Sequence, residues 1–181
     1  MCGTQWIEAT YAFAETNNRN FQPERVPCYW WPDLSLPLSL PETQVTALRY
    51  IAGRTSKLSS GTASSTIAVF TGRDAAGKLM AAEALAYEMQ RPLWRVDTRE
   101  IGDFSIADFE NYLVHTLNAA SAENAILMVD NADGLSNALF RRIEGYRGLC
   151  ILAIDATQEA AANLRNPTYF VVDFPFPYDN E

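Results

Sequence analysis

The 181-residue sequence predicts an α/β fold in which a parallel five-stranded sheet lies between layers of helices. Three observations lead to this prediction. Short and nearly continuous apolar runs alternate with segments of helical periodicity, which is typical of a parallel sheet buried on both faces. The hydrophobic fraction is 48%, enough for a sizeable core. A glycine-containing turn joins the first apolar run of this series to the helix that follows it.

The N-terminal region differs from the rest of the chain. Residues 4–16 predict a short amphipathic helix, and the proline-rich segment after it predicts extended chain, because proline interrupts helices. We therefore expect an N-terminal unit in residues 1–35 and an α/β core in residues 36–181. Trp30 and Trp31 are expected to pack on the core or on a partner, and the core is favoured since large aromatic side chains are usually buried.

The core elements follow in a regular order. A helix is predicted to start near Pro41 and to run through Val45, Leu48 and Ile51, with proline at its first position. A polar loop is predicted at 53–65. Strands are then predicted at 66–71, 93–97, 125–130, 149–155 and 169–174, and helices at 78–90, 106–120, 137–145 and 158–164.

Charge and cysteine content exclude several classes of protein. The net charge is -8 and Lys and Arg form no stripe, which argues against binding nucleic acid or an anionic membrane. The sequence has no secretory signal and no apolar run near the ~20 residues of a membrane span, so we expect a cytoplasmic protein. Cys2, Cys28 and Cys150 are scattered, which predicts neither a zinc site nor a disulfide framework.

The stretch "FTGRDAAGKLM" carries the strongest motif. Gly72, Gly77 and Lys78 fit the phosphate-loop pattern G-x-x-x-x-G-K between a predicted strand and a predicted helix. Backbone N–H groups of this turn, those of Ala75 and Ala76 included, would surround a phosphate, and the helix N-terminus would add partial positive charge. The motif therefore predicts residual binding of ATP or ADP.

Two positions of the loop argue against its usual chemistry. Leu79 follows the lysine, where the pattern requires a Ser or Thr hydroxyl to bind magnesium. Asp74 adds negative charge where a polyanion would lie. We therefore expect that nucleotide binds weakly and that magnesium is not tightly bound.

The run "ILMVDNAD" predicts the second half of such a site. A buried strand that ends in an acidic residue resembles a Walker B segment, in which Asp130 would hold magnesium through water. The next residue is Asn131, and an amide cannot act as a general base, a role worth a factor of about 10² to 10⁴. Asp133 is expected in the turn beyond, where it is a poor substitute.

From about Asp33 onward the chain resembles the AAA+ ATPases. It resembles in particular bacterial AAA+ proteins that are often found beside phage-tail-like contractile injection systems. The resemblance rests on the stretches "DLSLP", "FTGRDAAGKLMAAEALAYEMQRPLWRVD", "ILMVDNADGL", "LFRRIEGYRGLCILAID" and "NLRNPTYFVVDFPFP", which keep their order along most of the chain. The resemblance implies a three-layer P-loop/AAA+-type core.

The resemblance also identifies the positions at which this chain departs from the family. Leu79 replaces the magnesium-binding Thr, and Asn131 replaces the catalytic Glu. Asp155 lies at the sensor Asn, and Arg165 with Asn166 replaces the paired arginines. No stretch after the last strand matches the family's helical lid, so we expect the lid to be absent.

These departures favour a pseudo-ATPase that binds other proteins as a scaffold, assembly factor or regulator. Its partner would be an AAA+ paralogue or a phage-tail-like assembly. Two alternatives stay open: a nucleotide-binding switch without hydrolysis, and an ATPase subunit that is active only with a partner. A small-molecule kinase is a more distant alternative.

Two further polar residues are weaker candidates for a functional role. His115 is expected to be a surface or packed histidine rather than a catalytic one. Asp97 ends a predicted strand, where it either faces the binding crevice of the sheet or caps the next segment.

Overall fold

The computed structural model describes residues 28–30, 40–58, 65–101, 106–155 and 169–175. In chain order the elements are β1 (Cys28–Trp30), α1 (Glu42–Leu58), β2 (Thr66–Thr71), α2 (Ala75–Glu88), β3 (Leu93–Asp97), α3 (Ile106–Ala122), β4 (Ile126–Asp130), α4 (Asn137–Glu144), β5 (Leu149–Ala153) and β6 (Phe170–Asp173). Short 3-10 turns at Thr98–Ile101 and Ala132–Gly134 follow β3 and β4. The predicted α/β fold is confirmed.

The described strands form a six-stranded sheet in the order β1-β3-β4-β5-β2-β6. Strands β2 to β6 pair in parallel, which confirms the predicted five-stranded parallel sheet. The sixth strand was not predicted: β1 pairs antiparallel with β3, and Trp30 lies opposite Leu93. This pairing attaches part of the N-terminal segment to the core sheet. Trp31 lies outside the described residues, and the division of the chain after residue 35 stays a prediction.

Helices cover both faces of the sheet. Helices α1 and α2 pack on one face, in a core cluster that includes Ile126 and Met128 of β4. Helices α3 and α4 pack on the other face, in a core cluster that includes Leu127 and Val129 of the same strand. Successive side chains of a strand point to opposite faces, so a strand covered on both sides is apolar throughout. All residues of β4 and β5 are buried, which explains their continuous apolar runs.

The polar loop predicted at 53–65 was wrong at its start, because α1 continues to Leu58. Thr55 is buried within this helix, and its hydroxyl donates a hydrogen bond to the carbonyl of Ile51 over 2.8 Å. Gly53 lies on the exposed side, where an added Cβ would meet nothing within 4 Å. Glycine costs a helix about 1 kcal/mol relative to alanine, and the packing of α1 on the sheet offsets this cost.

Other boundaries shift by a few residues. Helix α2 begins at Ala75 rather than at 78, and α3 continues to Ala122 rather than ending at 120. Strand β5 ends at Ala153 rather than at 155. The helices predicted at 4–16 and 158–164 lie outside the described residues, as does the chain after 175, where a lid would follow. Among the described helices, none is long and apolar enough to cross a bilayer.

Candidate functional site

The candidate site lies at the carboxyl ends of the parallel strands, where open α/β sheets usually bind their ligands. Each of these five strands ends in an aspartate or reaches one within three residues. These residues are Asp74, Asp97, Asp130, Asp155 and Asp173. The predicted phosphate loop lies after β2, between β5 and β6, and the predicted Walker B residue lies at the end of β4. This edge of the sheet therefore holds both the predicted phosphate loop and the predicted Walker B aspartate, in a row of five aspartates.

Gly72 begins the loop after β2 and needs to be glycine. Its φ is 99°, in the left-handed region that favours glycine. An added Cβ would lie 2.2 Å from the carbonyl oxygen of Phe174. The N–H of Phe174 donates to the carbonyl of Thr71 over 2.8 Å, and the N–H of Asp74 donates to the carbonyl of Phe174 over 3.3 Å. The loop is thus held against the segment that follows β6.

Asp74 caps the N-terminus of α2. Its Oδ1 accepts a hydrogen bond from the N–H of Gly77 over 2.9 Å, and its carbonyl accepts one from the N–H of Lys78 over 3.0 Å. The predicted helix start at residue 78 was wrong because this cap brings Ala75 and Ala76 into the first helical turn. Aspartate is a preferred N-cap residue, so the sequence contained this signal.

Lys78 is 3% exposed and all its donors are engaged within the chain. Its Nζ donates to the carbonyls of Gly72 over 2.8 Å and Ile154 over 3.1 Å, and to Oδ1 of Asp155 over 3.1 Å. An ammonium group has three N–H donors, and these three acceptors match them. A buried charge requires such partners. Lys78 therefore joins the loop after β2 to the end of β5.

Leu79 and Asp130 lie at the two positions where the motifs would place contacts to magnesium, and both side chains make other contacts. Leu79 is partly buried and packs with the α1–α2 side of the core. Asp130 is 9% exposed, and its Oδ2 accepts a hydrogen bond from Nε of Arg95 over 2.5 Å. Arg95 belongs to β3, the strand beside β4. Sequence reasoning missed this arginine, although a charged residue within an otherwise apolar strand was a signal that it had a buried partner.

Asn131 ties the ends of β3 and β4 together. It has a φ of 54°, a left-handed conformation that asparagine tolerates. Its side-chain amide donates to Oδ1 of Asp97 over 2.7 Å, and its carbonyl accepts from the hydroxyl of Thr98 over 2.7 Å. Oδ1 of Asp97 also accepts from the N–H of Arg99 over 2.9 Å. Of the two roles predicted for Asp97, the cap of the next segment is the one that the geometry shows.

These contacts change the acidity of Asp97. Partial burial raises its pKa, but hydrogen bonds from the Arg99 N–H and the Asn131 amide lower it. The guanidinium of Arg99 lowers it further, and the pKa of Asp97 lies below its ordinary value. The carboxylate is therefore held in its charged form by this cluster.

Asp155, the predicted sensor position, bonds to Lys78 through a side chain that is 65% exposed. Its N–H donates to Oδ2 of Asp133 over 3.0 Å. Asp133 lies in the 3-10 turn after β4, as the sequence predicted. Arg165 lies outside the described residues.

Two residues that the sequence did not assign to the site lie on α3 and β5. His115 is exposed on α3. Cys150 is fully buried near the amino end of β5, and burial raises the pKa of its thiol. Within the described ranges, no group of three or more His, Cys, Asp or Glu residues could hold a metal ion.

Strand order and loop position together define a P-loop-type α/β domain. Residues 68–162, just over half of the chain, match the ATPase family associated with various cellular activities (AAA). The chain belongs to this family.

Comparisons with individual proteins show the fold. A chain from a structure of katanin self-assembly matches with a TM-score of 0.55 and 17% identity, covering 80% of this chain and 54% of that chain. At this identity the likeness concerns the fold alone, and the present chain spans about half of the katanin chain. The comparison with curated proteins found no match.

The AAA family implies ATP or ADP with magnesium, and the geometry tests whether these residues fit it. Lys78 has its three donors engaged, and Asp74 takes the N–H of Gly77. Leu79 offers no oxygen, and Asp130 is paired with Arg95. In this arrangement the residues do not fit a tightly bound magnesium nucleotide.

Proposed function

We propose that this chain is an AAA-family protein that does not hydrolyse ATP and that acts by binding other proteins, as a scaffold, assembly factor or regulator. One observation carries the proposal. The two charged groups on which the family's chemistry depends are each paired inside the chain, Lys78 with Asp155 and Asp130 with Arg95.

The pairing of Lys78 weakens nucleotide binding. A phosphate that approached the ammonium would have to displace Asp155 and draw Nζ away from the carbonyls of Gly72 and Ile154. A buried carbonyl that loses its donor costs about 1–3 kcal/mol. Asp155 is largely exposed, so releasing it costs less. Nucleotide binding therefore competes with contacts that the chain already makes.

The pairing of Asp130 acts against magnesium and against turnover. A metal ion at Asp130 would have to share the carboxylate with the guanidinium of Arg95, and the two cations repel each other. The neighbouring Asn131 is no general base, and its amide is engaged with Asp97. Loss of a general base alone is worth a factor of about 10² to 10⁴ in rate.

We propose protein binding as the activity because the charged groups of the nucleotide chemistry are paired within the chain. The katanin chain of similar fold comes from a study of self-assembly, which supports a protein partner. We propose that the partner of this chain is an AAA+ paralogue or a phage-tail-like assembly. Tyr50 and Tyr87, which are 59% and 48% exposed on α1 and α2, are suited to such a contact, because tyrosine is enriched in protein interfaces.

The proposal is tested by ATP hydrolysis with the purified chain. The expected result is no magnesium-dependent turnover above background, with the same result for Lys78→Ala. Turnover that Lys78→Ala abolishes contradicts the proposal. Turnover that appears only on mixing with an AAA+ paralogue identifies the chain as a subunit that needs a partner.

A nucleotide-binding switch without hydrolysis is the second candidate, and the 65% exposure of Asp155 favours it. An exposed carboxylate can swing away and leave Lys78 to a phosphate. A ligand at 100 times its Kd stabilises a fold by about 2.7 kcal/mol, so thermal unfolding with and without millimolar ATP tests this alternative. A shift in Tm that needs Lys78 but not magnesium is the result that the switch predicts.

A further inference from the structure

We infer that Asp74 and Asp155 are internal substitutes for phosphate, and that these two side chains set the low affinity of the site for nucleotides. The carboxylate of Asp74 accepts a hydrogen bond at the N-terminus of α2, and the carboxylate of Asp155 accepts one from the ammonium group of Lys78. This inference rests on the proposed function. It adds to that function the two residues that keep the nucleotide from binding tightly.

Asp74 takes the position that favours an anion. The N-terminus of a helix carries about half a positive charge and free N–H groups, which attract phosphate or carboxylate. Helix α2 spans Ala75–Glu88, and Oδ1 of Asp74 accepts from its Gly77 N–H over 2.9 Å. Oδ2 lies 2.4 Å from the position of a Cβ added at Gly77. The carboxylate therefore fills the space that Gly77 leaves open above the helix.

Asp155 lies at the ammonium group of Lys78, the second feature of the loop that would attract a phosphate. Its Oδ1 lies 3.1 Å from Nζ of Lys78, the group that would reach the outer phosphates. Two carboxylates thus satisfy the two cationic features of the loop. Asp173 adds a third negative charge beside the start of the loop, because its Oδ1 accepts from the hydroxyl of Thr71 over 2.9 Å and lies 3.3 Å from a Cβ added at Gly72.

Tethered carboxylates have an advantage over a free nucleotide. A side chain that is already part of the fold loses no translational freedom when it binds, whereas a free ligand does. The carboxylates also repel a polyanion that enters the same space. Removing them should therefore raise nucleotide affinity even though Leu79 and Asn131 are unchanged.

The test is binding of ATP, without magnesium, to the wild-type chain and to Asp74→Ser, Asp155→Asn and the double variant. Serine also caps helices, and asparagine can still accept a hydrogen bond from Lys78, so both changes remove charge and keep the local contacts. Asp97→Asn is the matched control, since it removes a charge from the same edge but not from the loop. Thermal unfolding checks that each variant folds.

We expect the double variant to bind ATP at least about tenfold more tightly than the wild type, and the control to bind like the wild type. Equal affinity in the wild type and the double variant overturns the inference but leaves the proposed function intact. An equal gain in Asp97→Asn also overturns it, because the effect would then reflect net charge alone. If the double variant does not fold, Asp155→Asn alone decides the question by the same criterion. Hydrolysis by the wild type would instead refute the proposed function.

Discussion

At the scale of single residues, Lys78 shows how a motif residue can keep its identity and take a structural role. In the phosphate-loop pattern the lysine contacts phosphate. Here the buried ammonium is bonded to the carbonyls of Gly72 and Ile154 and to the carboxylate of Asp155. It joins the loop after β2 to the end of β5. The stability of the fold should therefore depend on this lysine.

Lys78→Ala is expected to lower the free energy of unfolding by about 2 kcal/mol, because it leaves two carbonyls without their donor. Urea denaturation measures the change. Arg73→Ala is the control, since Arg73 is exposed in the same loop. A loss no larger than that of the control would show that the three contacts of Lys78 do not stabilise the fold.

Asp97 gives a pH-dependent prediction. Its pKa is lowered in the folded protein, so its contribution to stability is present above the unfolded pKa of about 3.9 and is lost as pH falls through the folded pKa. Asp97→Asn removes the charge that the Arg99 and Asn131 contacts favour. The wild type should be the more stable protein at pH 7, and the difference should shrink as the solution is acidified.

Unfolding free energies of the wild type and Asp97→Asn between pH 7 and about 2.5 test this prediction. A difference that is constant across the whole range would mean that the charge of Asp97 does not contribute.

At the scale of elements, the start of α2 depends on the coupling of Asp74 and Gly77. Alanine is better than glycine within a helix by about 1 kcal/mol. A Cβ at residue 77, however, would lie 2.4 Å from Oδ2 of Asp74, so the cap must move. Loss of a cap also costs about 1 kcal/mol.

A double-mutant cycle measures this coupling. Gly77→Ala is expected to be nearly neutral in the wild type, because the gain in the helix and the loss of the cap cancel. In an Asp74→Ala background it should stabilise the protein by about 1 kcal/mol. Equal effects in both backgrounds would mean that Gly77 is not kept open for the Asp74 carboxylate.

A second coupling joins β3 to β4. Arg95 and Asp130 belong to neighbouring strands and form a partly buried ion pair. The cycle of Arg95→Met and Asp130→Asn is expected to give a coupling energy of about 1 kcal/mol or more by chemical denaturation. Additive effects would mean that Arg95 does not stabilise the carboxylate of Asp130, which would then be available to a metal ion.

The sequence predicts the elements better than it predicts their contacts. The five parallel strands were predicted because strands buried on both faces read as apolar runs. Strand β1 was not, because three residues between prolines carry too short a pattern and depend on pairing with β3. The sequence predicted that Lys78 and Asp130 belong to the site. Their partners Asp155 and Arg95 lie on or beside other strands, and these pairs become apparent only once the strands are aligned in the sheet.

At the scale of the whole molecule, the chain has the parallel sheet of the AAA family, and Lys78 and Asp130 each form an ion pair within the chain. The net charge of -8 and the carboxylates of Asp74, Asp155 and Asp173 at the loop make this part of the edge unfavourable for a polyanion. The same carboxylates have protein partners: Asp74 bonds to Gly77, and Asp173 bonds to Thr71. The edge thus contributes to the stability of the fold.

The most direct test of this central claim is a calorimetric titration of the wild-type chain with ATP, with and without magnesium. We expect weak or undetectable binding that magnesium does not strengthen, because Leu79 offers no ligand and Asp130 is paired with Arg95. Tight binding that depends on magnesium would contradict this expectation, since the nucleotide and its metal would have to displace both internal ion pairs.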